Sequence, residues 1–190
     1  MAQYKVVLTD FGAPDTEVEE AELRQSGLDI QLLRLNTRVP EEIIQHAMDA
    51  DALMVGYAQI RRPVIERLER CRVISRYGIG VDMVDLQAAT ERGILVCNVP
   101  DFCIEEVSTH TIAFLLSLNR HIASHDRHVR SGKWSPFPGG PPARLPGQVL
   151  GVVGLGNIGQ AVARNAQCLG LRVLAYDPYI ASDKPRDTVG

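Results

Sequence analysis

Three glycines and one carboxylate carry the plainest chemistry in this chain. Gly154, Gly156 and Gly159 fall in the run Val152-Val153-Gly154-Leu155-Gly156-Asn157-Ile158-Gly159, and Asp177 closes the next apolar segment. In a G-x-G-x-x-G pattern the first glycine permits a tight turn and the second lets backbone approach a pyrophosphate. The third lets the helix pack closely on its strand. The N–H groups of Leu155, Gly156, Asn157 and Ile158 lie where a helix start holds phosphate oxygens without a cationic side chain. A carboxylate at Asp177 accepts hydrogen bonds from an adenosine ribose and repels a 2′-phosphate, which favours NAD over NADP. The bare glycine pattern is common by chance, and a structural β-turn-α unit with an incidental aspartate is the competing reading.

The flanking elements decide between them. Gln148 to Val153 is a short apolar run rich in β-branched residues, the pattern of a buried parallel strand. Ile158, Val162 and Ala166 then recur at helical spacing, Gly170 stops the helix, and Leu171 to Tyr176 forms a second strand ending on Asp177. That is the strand, turn, helix, strand order a dinucleotide site requires.

Earlier in the chain, strands over 5–9, 30–35, 53–55, 73–75 and 94–97 alternate with helices over 15–26, 41–50, 63–70 and 86–92. Alternation of this kind predicts a parallel sheet in an α/β fold, a doubly wound five-stranded unit over the first hundred residues or so. Asn98-Val99-Pro100 breaks the pattern. One long helix from Ile104 to Arg130 is expected next, followed by a proline- and glycine-rich connecting loop from Ser135 to Pro142. The expected domains are residues 1–100 and 101–190, the second holding the first β-α-β part of a Rossmann nucleotide-binding domain.

Bulk properties exclude several classes. The net charge of −3 gives no general attraction to nucleic acid or an anionic membrane. The four cysteines, Cys71, Cys97, Cys103 and Cys168, show no zinc-site spacing, and reduced thiols in a soluble, cytoplasmic protein are expected. Cys97 reads as a small buried residue. No apolar run approaches the roughly 20 residues needed to span a bilayer, and no secretory signal is apparent at the start. His121 and His125 have i, i+4 spacing, but no cysteine or carboxylate completes a metal set, so a solvated helix end is the better reading.

Arg76-Tyr77-Gly78-Ile79-Gly80-Val81-Asp82, Val96-Cys97-Asn98-Val99-Pro100, Glu105-Glu106-Val107-Ser108-Thr109-His110-Thr111 and the glycine run together resemble the NAD-dependent D-isomer-specific 2-hydroxyacid dehydrogenase family. The Val96 to Pro100 phrase and Tyr176-Asp177-Pro178-Tyr179 resemble its C-terminal binding protein-like branch. The resemblance implies a flavodoxin-like substrate domain and a Rossmann domain, with hydride passing between NAD and a small 2-hydroxy or 2-oxo acid. It further implies substrate contacts at Arg76, Gly78 and Ile79, with backbone amides holding the substrate carboxylate. Cofactor contacts fall at Ile79, Val107 and Thr111, and the implied assembly is a homodimer. His110 matches a packing position of the family rather than its catalytic base.

The arginine, glutamate and histidine that carry the family's chemical step match no residue here. The expectation is therefore a C-terminally truncated chain without catalytic residues, inactive by itself. The alternatives are an NAD(H)-responsive interaction module of the C-terminal binding protein kind and a remnant without function.

Overall fold

The computed structural model describes residues 3–12 and 15–180. They form two compact units, Met1–Phe102 and Cys103–Gly190.

In the first unit five strands alternate with four helices: β1 (Tyr4–Leu8), α1 (Glu17–Gln25), β2 (Ile30–Arg34), α2 (Pro40–Ala47), β3 (Ala52–Val55), α3 (Arg62–Ile65), β4 (Val73–Arg76), α4 (Leu86–Glu91) and β5 (Leu95–Cys97). All strand pairs are parallel and the spatial order is β2-β1-β3-β4-β5, the flavodoxin-like doubly wound order. A parallel sheet needs apolar cover, and Val7, Leu53, Val55 and Ile74, which the register places on one face, supply the sheet side of the core. Ile43, Ala47, Val64, Ile65, Ala88 and Ala89 pack on it from the helices. Helix α1 buries no residue, and Val18 stays 72% exposed. Two starts are locally encoded: Pro40 opens α2 with its fixed φ, and the Asp85 side chain accepts from the Ala88 N–H to cap α4.

Sequence patterning overstates α3, which is a single turn. Its continuation is taken by non-helical bonds, with the Glu69 N–H donating to Met48 O instead of to its own helix.

The second unit contains α5 (Ile104–Asn119), α6 (Ile122–Arg130), β6 (Val149–Val153), α7 (Asn157–Cys168) and β7 (Arg172–Tyr176). The one long helix expected from Ile104 to Arg130 is two, because His121 adopts a left-handed φ of 55° and cannot continue the ladder. Strands β6 and β7 pair in parallel, with Val153 opposite Tyr176. Helix α7 buries Ala161, Val162, Ala163 and Ala166. One alternation set on the sheet stays open, with Val153 87%, Leu174 62% and Tyr176 66% exposed. Ser108 on α5 is buried and accepts from Asn165 Nδ2 of α7 at 3.4 Å. Among the described residues no helix is long and apolar enough to cross a membrane.

Candidate functional site

In the second unit the glycine run turns from β6 into α7. Gly154 has φ 90°, a left-handed conformation that penalises any side chain. Its N–H donates to Tyr176 O at 2.8 Å, tying the turn to the end of β7. A Cβ on Gly159 would run into the Gly154 carbonyl oxygen and sit 3.0 Å from its carbon, so this glycine lets α7 lie against the turn. Gly156 differs, because its φ of −70° suits any residue and a Cβ there would meet nothing within 4 Å. The fold itself makes no steric demand for a glycine at that position.

No side chain caps α7. The N–H groups of Gly156, Asn157, Ile158 and Gly159 find no acceptor among the described residues, whereas the Leu155 N–H donates to Asp177 Oδ2 at 2.7 Å. Asp177 Oδ1 accepts from the Tyr179 N–H at 2.8 Å. The hydrogen bond from Leu155, then that from Tyr179, hold the Asp177 carboxyl below its ordinary pKa. It is therefore an anion at neutral pH, fastened beside an anion-seeking helix start. Val107 and Thr111 lie one turn apart on α5 and both are exposed, with Thr111 Oγ1 donating to Val107 O at 2.7 Å. His110 stacks edge-on against Phe114 at 4.3 Å.

In the first unit the turn after β4 contains Gly78 with φ 127°. The Gly78 N–H donates to Arg76 O at 3.0 Å, so this glycine shapes the turn and is not a free donor. The N–H groups of Ile79 and Gly80 have no acceptor among the described residues, which moves the open amide pair one residue along from Gly78. Arg76 folds back over the turn, with Nη1 donating to Tyr77 O and Nε buried without a partner. Tyr77 donates to Glu19 Oε1 at 3.0 Å and packs on Phe11 at 4.4 Å. Burial, then the hydrogen bond and charge of Glu19, raise its pKa, so the phenol stays neutral.

Sequence reasoning missed the residues beside this turn. Asp10 follows β1 and is 5% exposed, and its carboxylate accepts from the Tyr57 and Ala58 N–H groups at 2.9 and 3.0 Å. Thr9 Oγ1 and Arg38 Nε also donate to it, at 3.0 and 2.7 Å. Burial raises the Asp10 pKa, but Tyr57, Ala58, Arg38 and Thr9 together outweigh it and hold the carboxyl below the ordinary value. A Cβ on Gly56 would strike the Asp10 backbone oxygen and lie 3.2 Å from the carboxyl carbon, so the loop after β3 seats directly on Asp10. The available signal was an apolar strand ending on an aspartate, with a glycine closing a neighbouring strand.

Cys97 is exposed, contrary to the buried position expected for it, because β5 is an edge strand whose Leu95 and Cys97 face outward. The described residues contain no group of three or more histidines, cysteines or carboxylates that would hold a metal.

A doubly wound parallel unit and a β-α-β unit with an open glycine turn define an α/β protein with the elements of a nucleotide-binding fold. Residues 6–178 match the model of the D-isomer specific 2-hydroxyacid dehydrogenase catalytic domain, and the chain belongs to that family. It is 40% identical over 146 residues to D-3-phosphoglycerate dehydrogenase of Methanocaldococcus jannaschii, covering 75% of this chain and 27% of the relative. It is 36% identical over 146 residues to glyoxylate reductase of Pyrococcus furiosus, covering 72% of this chain and 43% of the relative. The crystal structure of D-lactate dehydrogenase from Aquifex aeolicus, complexed with NAD and lactic acid, superposes with a TM-score of 0.80 at 26% identity. That match covers 94% of this chain and 53% of the other. The chain thus spans about half or less of the relatives it resembles.

Proposed function

We propose that this chain supplies the cofactor-holding and carboxylate-holding parts of an oxidoreductase that moves hydride between NAD and a D-2-hydroxy acid. The observation that carries the proposal is the row of undonated amides at Gly156, Asn157, Ile158 and Gly159. It stands over a glycine with open space in its Cβ direction and is flanked by the Asp177 anion. NAD fits that chemistry and, when bound, supplies the hydride acceptor. The amides bind the diphosphate, as at other helix starts. Asp177 keeps lone pairs for ribose hydroxyls, and its charge disfavours a 2′-phosphate.

In the first unit the Ile79 and Gly80 N–H groups hold the substrate carboxylate, with the Arg76 guanidinium beside them. By family resemblance Ile79, Val107 and Thr111 contact the cofactor. The chemical step is assigned to none of residues 1–190, since the family's arginine, glutamate and histidine match no position here. This chain alone is therefore expected to bind without turnover.

Relatives named for phosphoglycerate and glyoxylate favour a small metabolic acid as substrate. The phrases from Val96 to Pro100 and from Tyr176 to Tyr179 are what speak for the alternative, an NAD(H)-responsive interaction module of the C-terminal binding protein-like branch. A cytoplasmic homodimer is the form that the enzyme reading implies.

The test is NADH fluorescence. Wild type should bind NADH in preference to NADPH. Asp177→Ala should weaken NADH roughly tenfold, the worth of about one charge-assisted hydrogen bond, and narrow that preference. A wild type that fails to bind NADH overturns the cofactor assignment, and an unchanged variant overturns the ribose assignment alone.

A further inference from the structure

A second side chain besides Asp177 grips the glycine turn. Gln160, in the first turn of α7, reaches back along the helix, and its Nε2 donates to the Leu155 carbonyl oxygen at 2.9 Å. A carbonyl oxygen only accepts, so it is the nitrogen of the Gln160 amide that faces Leu155. The main-chain N–H of the same residue donates to Gly156 O, also at 2.9 Å. One half-buried residue thus holds the carbonyls of two successive peptide units. Leu155 is held at both ends, because its own N–H is spent on Asp177 Oδ2.

In a trans peptide the carbonyl and the N–H point in opposite directions, and the described residues contain no cis bond. Fixing Leu155 O therefore aims the Gly156 N–H the other way, and fixing Gly156 O does the same for the Asn157 N–H. Both are among the four amides without an acceptor. The bond to Gly156 O is main chain and forms with almost any residue at position 160. The bond to Leu155 O lies one unit outside the helical ladder and depends on a side chain. Without it, the donor in helical register for Leu155 O is the Gly159 N–H, four residues on. That bond would wind α7 back by one residue and consume an open amide. Rotation of the peptide would instead bring a carbonyl oxygen to the place of the Gly156 N–H, where it repels an anion.

We infer that Gln160 is a positioning residue for the cofactor diphosphate. Its side-chain amide stands in for a helical N–H at Leu155 O, which keeps Gly159 free and holds the Gly156 amide toward the anion. This rests on the reading that the amides at the start of α7 bind a diphosphate. Gln160 acts through the main chain, so its effect is confined to ligands that carry phosphate. A glutamine serving only to stabilise the helix would influence every ligand of this unit alike.

The experiment is a titration of the whole chain with adenosine, ADP and NADH, followed by calorimetry and by the Gly156 amide resonance. Wild type should bind ADP and NADH more tightly than adenosine. Gln160→Met keeps a similar volume and a good helix former while removing the donor. It should weaken ADP and NADH roughly five- to tenfold, the worth of about one net hydrogen bond, and leave adenosine within about twofold of wild type. The Gly156 amide resonance of the free protein should move. Gln160→Asn keeps the amide but is one methylene too short to reach Leu155 O. It should match the methionine variant, and it serves as the test should that variant not fold. Undiminished ADP binding, an equal loss of adenosine and ADP, or an unmoved Gly156 resonance overturns the inference while leaving the cofactor site standing. A wild type that binds ADP no better than adenosine removes the underlying reading as well.

Discussion

Gly156 and Gly159 stand three residues apart in one motif, and the structure separates their reasons for being glycine. Alanine at 159 would place a methyl group against the Gly154 carbonyl, with the carbonyl carbon at 3.0 Å and Val152 Cγ1 at 3.6 Å. The obstacle is main chain, so α7 itself must retreat, by on the order of 1 Å. A gap of that size forfeits a quarter to a half of each lost van der Waals contact. Helix α7 packs through Ala161, Val162, Ala163 and Ala166, small residues that cannot reach across it.

Overpacking of this kind costs about 1–3 kcal/mol, and the helix propensity gained by replacing glycine returns up to about 1. A net loss of about 1–2 kcal/mol is expected for Gly159→Ala, with NADH binding weakened roughly tenfold as the amides shift. Gly156→Ala meets nothing within 4 Å, so its stability should stay within about 0.5 kcal/mol of wild type. Its methyl group nonetheless occupies space a diphosphate needs, and NADH binding should fall as far or further. Urea unfolding followed by circular dichroism, paired with NADH fluorescence, reads both quantities. Equal stability losses in the two variants, or undiminished NADH binding by Gly156→Ala, would refute this division of labour.

Removing the acceptor in Asp10→Ala strands the Tyr57 and Ala58 N–H groups, and a loss of about 3 kcal/mol in urea unfolding is expected. A loss below about 1 kcal/mol would mean that the loop after β3 does not depend on that carboxylate. The Asp10 pKa is lowered on folding, so its contribution is whole above the unfolded value near 3.8 and is lost as pH falls through the lower folded value. The stability gap between wild type and Asp10→Asn should therefore be constant at neutral pH and shrink in acid below about pH 4. A gap that widens in acid would reverse the sign of the argument.

The strand and helix alternation of the first unit was legible because β-branched runs and helical spacing each bury one face, and burial dictates both periods. The glycine motif was legible for a related reason, since its demands on φ and on close approach are local to a few residues. The break at His121 was not, because no glycine or proline marks it and a left-handed histidine has no pattern of its own. The single-turn α3 was likewise hidden, since its length is limited by the bond from Glu69 to Met48, a partner distant in sequence.

The sequence by itself located the glycine turn and the helix start that follows it, and it named Asp177 from its place at a strand tip. Only the tertiary structure showed that the same carboxylate grips the Leu155 amide, and that Gly78 spends its own N–H within the turn. Asp10, Arg38, Tyr57 and Arg76 come from three strand ends and a loop, with no spacing that announces them. They meet because parallel strands deliver all their carboxyl ends to one edge, a consequence of packing that no single stretch of chain contains.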